Sequence, residues 1–193
     1  MIYFCVAMAV ATLGYFGWKL TSRNSYESAA YTVLELESPF ELREYPDLMM
    51  ATTEMQSEPQ GKDGSFMKLF RYISGSNDRQ QKVPMTTPVF MEPKRPKDKG
   101  QMGFVIPKKI SEKHVPEPTN DNVQIRRRVG GRFAVIRFAG RSESQSVVKA
   151  EERLRGWMRD KEISGIGEAE LASYDPPWTP GPLRRNEVLI RLK

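Results

Sequence analysis

Hydrophobic residues recur along this chain with two different periods, and the alternation between the periods predicts most of its elements. Phe66, Leu69, Phe70 and Ile73 stand at i, i+3, i+4 and i+7, which is one face of an α-helix. Gly75 offers a stop, Ser76-Asn77-Asp78 can turn the chain, and β-favouring residues follow from Lys82 to Val89. A second stripe, Val147, Ala150, Leu154, Trp157 and Met158, predicts a longer and more polar helix from about Glu143 to Lys161. Strand-like stretches run over Tyr31–Glu37, Phe40–Tyr45, Leu48–Met55 and Met102–Ile106. Four more cover Val123–Arg126, Arg132–Phe138, Glu168–Tyr174 and Glu187–Leu192. Gly130-Gly131 reads as a hairpin turn that pairs the Val123 strand with the Arg132 strand. The charged Lys94–Gly100 segment reads as a second hairpin loop, and the Pro-rich stretch from Lys108 to Asn122 as a surface link between two halves.

Strand, helix, strand, strand occurs once from Leu48 to Ile106 and again from Arg132 to Leu192. Each amphipathic helix needs a sheet to cover. The pattern therefore predicts an α+β fold in which duplicated halves form a curved antiparallel sheet or distorted barrel with two flanking helices. Leu69 and Leu154, at the centres of the two stripes, are expected to be buried.

The N-terminus follows neither period. Met1 to Trp18 contains no charged side chain, and eighteen residues make roughly 27 Å of helix, near the lower limit for crossing a hydrocarbon core. Tyr15, Phe16 and Trp18 beside Lys19 and Arg23 suit a membrane interface, and positive charge at that end favours the cytosolic side. A cleaved signal peptide fits less well. No basic residue precedes the apolar run, and cleavage at Ala7-Met8-Ala9 would leave too short an apolar core. The expected organisation is an N-terminal membrane helix over residues 1–20, a linker over 21–30 and a domain over 31–193 that faces the cytosol.

Composition changes this picture little. At 193 residues, with 39% hydrophobic and 28% charged content, the chain fits one folded domain plus an appendage. The net charge of +6 includes Lys19 and Arg23, and from Asn24 onward 28 basic residues face 24 acidic ones. The densest basic clusters, Arg126-Arg127-Arg128 and the Lys94–Lys99 run, read as a solvated strand edge and loop, so no nucleic-acid partner is expected. One cysteine, Cys5, allows no intrachain disulfide. One histidine, His114, sits in an expected surface loop, which leaves a histidine-dependent triad or a structural zinc site without its residues. There is no P-loop and no G-x-G-x-x-G. Glu151-Glu152 and Glu168-Glu170 read as solvated carboxylates on a helix and a strand. Neither catalytic residues nor a metal site are expected, and the chain reads as a protein that is not an enzyme.

Two ordered motifs carry more information than the composition. Phe66 to Asn77 reads F-x-x-L-F-x-Y-I-x-G-x-N, and Lys82 to Val89 reads K-V-x-M-T-x-P-V. Together with Tyr31-Thr32-Val33, Phe40-Glu41-Leu42-Arg43, Pro118-Thr119-Asn120, Phe138-Ala139-Gly140 and Arg185-Asn186-Glu187-Val188, these resemble the SOUL heme-binding family. The resemblance covers about Tyr31 to Lys193. It implies a duplicated α+β domain, similar also to the effector-binding domains of some transcription regulators. The implied ligand is heme or another porphyrin, held without a covalent bond by a carrier or buffer of tetrapyrroles.

A porphyrin is a wide apolar ring with two carboxylates, so its site needs an apolar or aromatic wall and cations at the rim. Phe66 and Phe70 can form such a wall, with Lys68 and Arg71 to the sides where propionates would lie. Periodicity alone reads the same two rings as core and the two cations as solvated. The loop around Trp178, beside the Asp175-Pro176-Pro177 stretch that matches the family's D-P-P, can supply an opposing wall. One position departs from the family. Glu41-Leu42-Arg43-Glu44-Tyr45 matches its E-I-R-x-Y pattern, but Glu44 stands where some relatives carry a histidine, so no clear axial histidine is expected. Tyr45, Tyr72 and Met85 remain as candidate iron ligands. The alternative function is a module of the same fold that binds a protein partner or another small apolar ligand. A third is a small-molecule hydrolase acting through a carboxylate, as some domains of similar fold do.

Overall fold

In the computed structural model, both amphipathic helices lie on one face of a single nine-stranded sheet. The structure describes residues 26–55, 64–92, 99–176 and 178–193, with Met8 alone before them. The first half contributes β2 (Thr32–Glu37), β3 (Phe40–Tyr45), β4 (Leu48–Glu54), helix α1 (Ser65–Ile73), β6 (Val89–Glu92) and β7 (Gln101–Val105). The second contributes β8 (Gln124–Arg128), β9 (Gly131–Ala139), α3 (Ser144–Asp160), β10 (Gly165–Ser173) and β11 (Arg185–Leu192). Two-residue strands β1 (Glu27–Ser28) and β5 (Thr86–Thr87) pair in parallel apart from the main sheet, and α2 (Lys108–Ser111) is a single turn.

Strand order is β2-β3-β9-β11-β10-β6-β7-β4-β8, and every neighbouring pair is antiparallel. The repeat predicted from the sequence is present as β4-α1-β6-β7 and β9-α3-β10-β11. The halves meet at the central pair β6 and β10, where Val89 stands opposite Ser173. The expected hairpin across Gly130-Gly131 is absent. β8 pairs with β4, while β9 pairs with β3 and β11, so the leading strand of each half lies in the sheet of the other. Gly130 serves that exchange, because a β-carbon there would lie 2.4 Å from the carbonyl oxygen of Tyr45, where the two short connections cross.

The sheet is open, with β2 and β8 as its edges, so the distorted barrel is excluded in favour of the curved sheet. Its curvature is strong. Tyr45 on β3 and Phe90 on β6 are four strands apart, about 19 Å across a flat sheet, yet their ring centroids are 6.4 Å apart. Arg128 on β8 reaches the ring of Phe133 on β9 at 4.5 Å, although six strand spacings separate the two. The concave face therefore closes over its own core of Tyr45, Met50, Phe90, Phe133, Val135 and Leu189. The opposite face is divided between the helices. Leu69, Tyr72 and Ile73 of α1 pack with Ala51, Met102 and Phe104, and Leu154, Trp157 and Met158 of α3 pack with Ala134, Ile136, Val188 and Ile190. Leu69 and Leu154 are both fully buried, as their stripes predicted.

Two other readings change. Arg128 is not part of a solvated edge: it is buried, stacked on Phe90 and Phe133, and its Nη2 donates to Glu170 at 2.6 Å, so Glu170 is ion-paired. No helix among the described residues is long and apolar enough to cross a membrane. Apart from Met8, the expected membrane helix over residues 1–20 lies outside the described residues, as do residues 94–98 of the expected hairpin loop between the paired strands β6 and β7.

Candidate functional site

A groove of about 400 Å³ opens where the two halves meet, on the helix face of the sheet beside α1. Its floor is the cross-strand pair Val89 and Ser173, with Thr87 and Met85 just before β6. One wall is α1, which presents Phe66, Met67 and Phe70. The segment after β10 adds Tyr174, Asp175, Pro176 and Trp178, and Tyr26 completes the lining. Almost all of the lining is apolar, as expected of a site that binds a flat hydrophobic molecule.

Helix α1 delivers its wall through a simple division of faces. Leu69, Tyr72 and Ile73 bury one side against the sheet, and Tyr72 fixes the helix by donating its buried hydroxyl to the carbonyl of Pro116 at 2.8 Å. Burial, followed by the Glu117 and Asp78 charges, pushes that phenol up to about 12. The side left over carries the groove residues. Phe66 is half-buried, edge-on to Phe104 at 5.2 Å and offset-stacked on Phe70 at 6.1 Å. Phe70 is 43% exposed, Met67 47% and Trp178 65%, so these side chains are rim rather than core. Gly75, at φ +119°, ends the helix one residue past the Ser74 cap.

The residues singled out in the sequence divide. Phe66, Phe70 and Trp178 come together in the groove. Arg71 is exposed and one turn beyond Met67, at the flank of the mouth rather than in the lining. Lys68 projects to the other flank of α1, lining a separate polar cleft with Thr52, Glu54, Gln101 and Asp121. Among the described residues no Lys or Arg lines the groove. Of the three candidate iron ligands, Met85 lies in the lining, whereas Tyr45 and Tyr72 are buried with their hydroxyls bonded to Arg43 and Pro116. His114 is exposed after α2, and Glu44 lines a shallow depression with Tyr31 and Pro46, both away from the groove. Tyr26, Met67 and Tyr174 were missed. Met67 sits one position from a marked aromatic, but only the direction of α1 shows that it shares their side.

Tyr174 connects the groove to a buried charge network on the concave face. It is one of the groove's lining residues, but its side chain is buried in the concave core, and its hydroxyl donates to Glu187 Oε2 at 2.9 Å. Glu187 accepts two bonds from Arg43, at 2.6 and 2.9 Å, and two from Arg185, at 2.9 and 2.5 Å. Arg43 also donates to Glu41 at 2.7 Å and lies 4.2 Å over the ring of Tyr31. Burial alone would raise the Glu187 carboxyl, but the guanidiniums of Arg43 and Arg185 bring it below the ordinary carboxylate range. Burial, with the adjacent Glu187 charge, pushes the Tyr174 phenol well up, so it remains a donor at neutral pH. Half-exposed Arg137 carries the network to the surface, donating to Glu41 at 3.2 Å and lying 3.6 Å from Glu187, and the Glu187 carboxylate is held by cations rather than poised to move a proton.

A family model described as SOUL heme-binding protein matches residues 26–191. The chain belongs to the SOUL heme-binding protein family. That match runs from Tyr26 into the last strand, β11, and takes in every described groove residue. Among curated relatives, Heme-binding protein 1 of Xenopus tropicalis is 28% identical over 156 residues, covering 77% of this chain and 81% of that protein. Heme-binding protein 1 of Mus musculus is 26% identical over 181 residues, covering 90% of each. Among solved structures, the EcmrR C-terminal domain superposes with a TM-score of 0.58 at 14% identity, covering 84% of this chain and 98% of that one. A hydrolase from Listeria innocua superposes with a TM-score of 0.57 at 10% identity, covering 83% and 94%. At these identities the two structures show that this SOUL-family chain shares their fold.

Proposed function

We propose that this protein is a carrier or buffer of heme or another tetrapyrrole, held at a membrane by residues 1–20 and acting without catalysis. The observation that carries the reading is that two exposed aromatic side chains from separate elements, Phe70 and Trp178, line one apolar groove, in a chain of the SOUL heme-binding family. An exposed Phe and Trp in one groove would lose solvent contact on binding a flat ring, which is the source of affinity. Of the two cations on α1, Arg71 flanks the groove while Lys68 lines a separate cleft, so Arg71 would be the one to meet the propionates. Of the three iron ligands considered from the sequence only Met85 is in the lining, so binding rests on burial and on the rim charge and discriminates little between heme and iron-free protoporphyrin.

Titration of the full-length protein in detergent with heme and with protoporphyrin tests this reading. Saturable spectral changes at micromolar protein are expected for both, and their absence for both overturns it. Arg71→Glu is expected to weaken protoporphyrin by roughly 1 kcal/mol, about fivefold, because an exposed contact is screened. Lys68→Glu should have no comparable effect, and neither change should matter for the dimethyl ester of protoporphyrin, whose carboxylates carry no charge.

The second reading is a module for another small apolar ligand or a protein partner, and the lack of any cation in the described lining favours it. Tighter binding of the dimethyl ester than of the free acid would support it. The membrane part of the proposal rests on the charge-free run Met1 to Trp18 and on Lys19 and Arg23, which favour a single pass with the domain in the cytosol. The full-length protein is expected to resist carbonate extraction, and its recovery in the carbonate-soluble fraction would remove the anchor from the proposal.

A further inference from the structure

We propose that the mouth of the groove rests on the bilayer surface, so that a flat apolar ligand passes between membrane and groove without crossing water. The inference rests on the reading of the groove and the anchor given above, and adds the direction in which the groove faces. Three observations carry it. First, the chain enters the domain at the groove: Tyr26 is in its lining, and the next residues are secured there by β1 pairing with β5 and by the amide of Ala29 donating to the carbonyl of Thr87 at 2.7 Å. Second, only seven residue steps separate Lys19 from Tyr26, a reach of at most about 25 Å. If the apolar run up to Trp18 enters a bilayer, this part of the groove is held near the headgroups.

Third, the rim is built for an interface. Met67, Phe70 and Trp178 come from two separate elements and expose 47, 43 and 65% of their surfaces around one opening. Aromatic side chains are favoured at the depth where headgroups meet hydrocarbon, and an apolar rim facing water would be a standing cost. Arg71 flanks that rim, and in the sequence Lys19 and Arg23 fall between the apolar run and Tyr26, so the cations match the anionic headgroups of a cytoplasmic leaflet. The other exposed apolar residues are distributed differently. Val33, Leu34 and Leu36 lie on edge strand β2, four strands from β10, with nothing beside them to name a partner.

The test uses the full-length chain with Cys5→Ser and one introduced cysteine, Met67→Cys at the mouth or Leu36→Cys on the far edge, each carrying an NBD label. The protein is reconstituted into vesicles of phosphatidylcholine and phosphatidylserine, with and without doxyl-labelled lipid as quencher. The mouth label is expected to shift to the blue and to be quenched at least threefold more by doxyl lipid than the edge label. Equal quenching at the two sites, no quenching at either, or failure of the protein to associate with vesicles overturns the inference. So does a mouth label whose shift depends on protein concentration and not on lipid, which would mark an interface between copies.

A second measurement separates this inference from the ligand on which it is built. Transfer of protoporphyrin from loaded vesicles to vesicles carrying the protein is expected to accelerate in proportion to protein concentration. A rate that levels off at the spontaneous desorption rate means that the ligand travels through water. If protoporphyrin binds in detergent but the mouth label stays in water, the binding reading stands and the orientation fails. If the label inserts but no porphyrin binds, the orientation stands and the ligand assignment fails.

Discussion

Glu187→Gln is expected to destabilise the folded protein by about 3–5 kcal/mol, the cost of leaving buried guanidinium charge without its counter-ion. The side chains of Glu187 and Arg43 are both fully buried, and Arg43 spans both carboxylate oxygens. Glutamine keeps the shape but turns an NH2 toward one of the guanidiniums that now donate to oxygen, so a favourable contact becomes a clash of donors. The measurement is the urea midpoint at constant m. The double variant Arg43→Met/Glu187→Leu should lose much less than the sum of the single changes, because it removes the charge together with its partner. Additive losses would mean that the pair is not coupled in the way its geometry requires.

The same substitution has a pH signature. The folded-state pKa of Glu187 lies below its ordinary value of 4.5. A group with a depressed folded pKa stabilises fully above its unfolded value and loses that contribution as pH falls through the folded one. Stability of the native protein should therefore decline below about pH 4.5, and Glu187→Gln should flatten that part of the acid limb while lowering stability at neutral pH. An unchanged slope would assign the acid limb to other carboxylates.

Leu154→Ala is the second large effect, with an expected loss of about 2–5 kcal/mol. Leu154 is fully buried at the centre of α3 among Ala134, Ile136, Val188 and Ile190, strand residues that cannot move in to fill the vacated volume. For a chain of this size the loss corresponds to a fall in Tm of roughly 2–4 °C per kcal/mol. Leu69→Ala, equally buried under α1, should cost a similar amount and should also weaken ligand binding. Helix α1 has nine residues and is too short to persist without its packing, so loosening it displaces Phe66 and Phe70. Leu154→Ala should leave affinity alone, since α3 contributes nothing to the groove. A loss below half a kcal/mol at both leucines would place the helix faces elsewhere.

The legible part of this protein is the part set by spacing within one element. The stripe Phe66, Leu69, Phe70, Ile73 and the stripe from Val147 to Met158 each determined a helix and its buried centre, because neighbours at i+3 and i+4 share a side whatever lies beyond them. Alternation located the main strands, the repeated order of elements showed the duplication, and the ordered motifs pointed to the family. Phe66 and Phe70 could be selected as groove residues because they stand in a matching motif, and Trp178 because it lies beside one.

Tertiary structure decided the rest. Gly130-Gly131 has the composition of a hairpin turn, yet its flanking strands pair elsewhere, because burying the concave face required the two halves to exchange their leading strands and their connections to cross. Arg43 and Glu187 are 144 residues apart, and only the packing of β3 and β11 on either side of β9 brings them into one ion pair. Lys68 and Arg71 looked equivalent along the helix. They were separated by the sheet: burial of Leu69, Tyr72 and Ile73 leaves one flank to each cation, and the groove lies on the flank of Arg71. Tyr26, Met85 and Tyr174 come from three separate segments with no shared period, and their convergence exists only because β1, β5 and the end of β10 meet beside α1. A periodic pattern records which side of an element is apolar; which partner that side meets depends on contacts between residues far apart in the chain, and local spacing does not contain them.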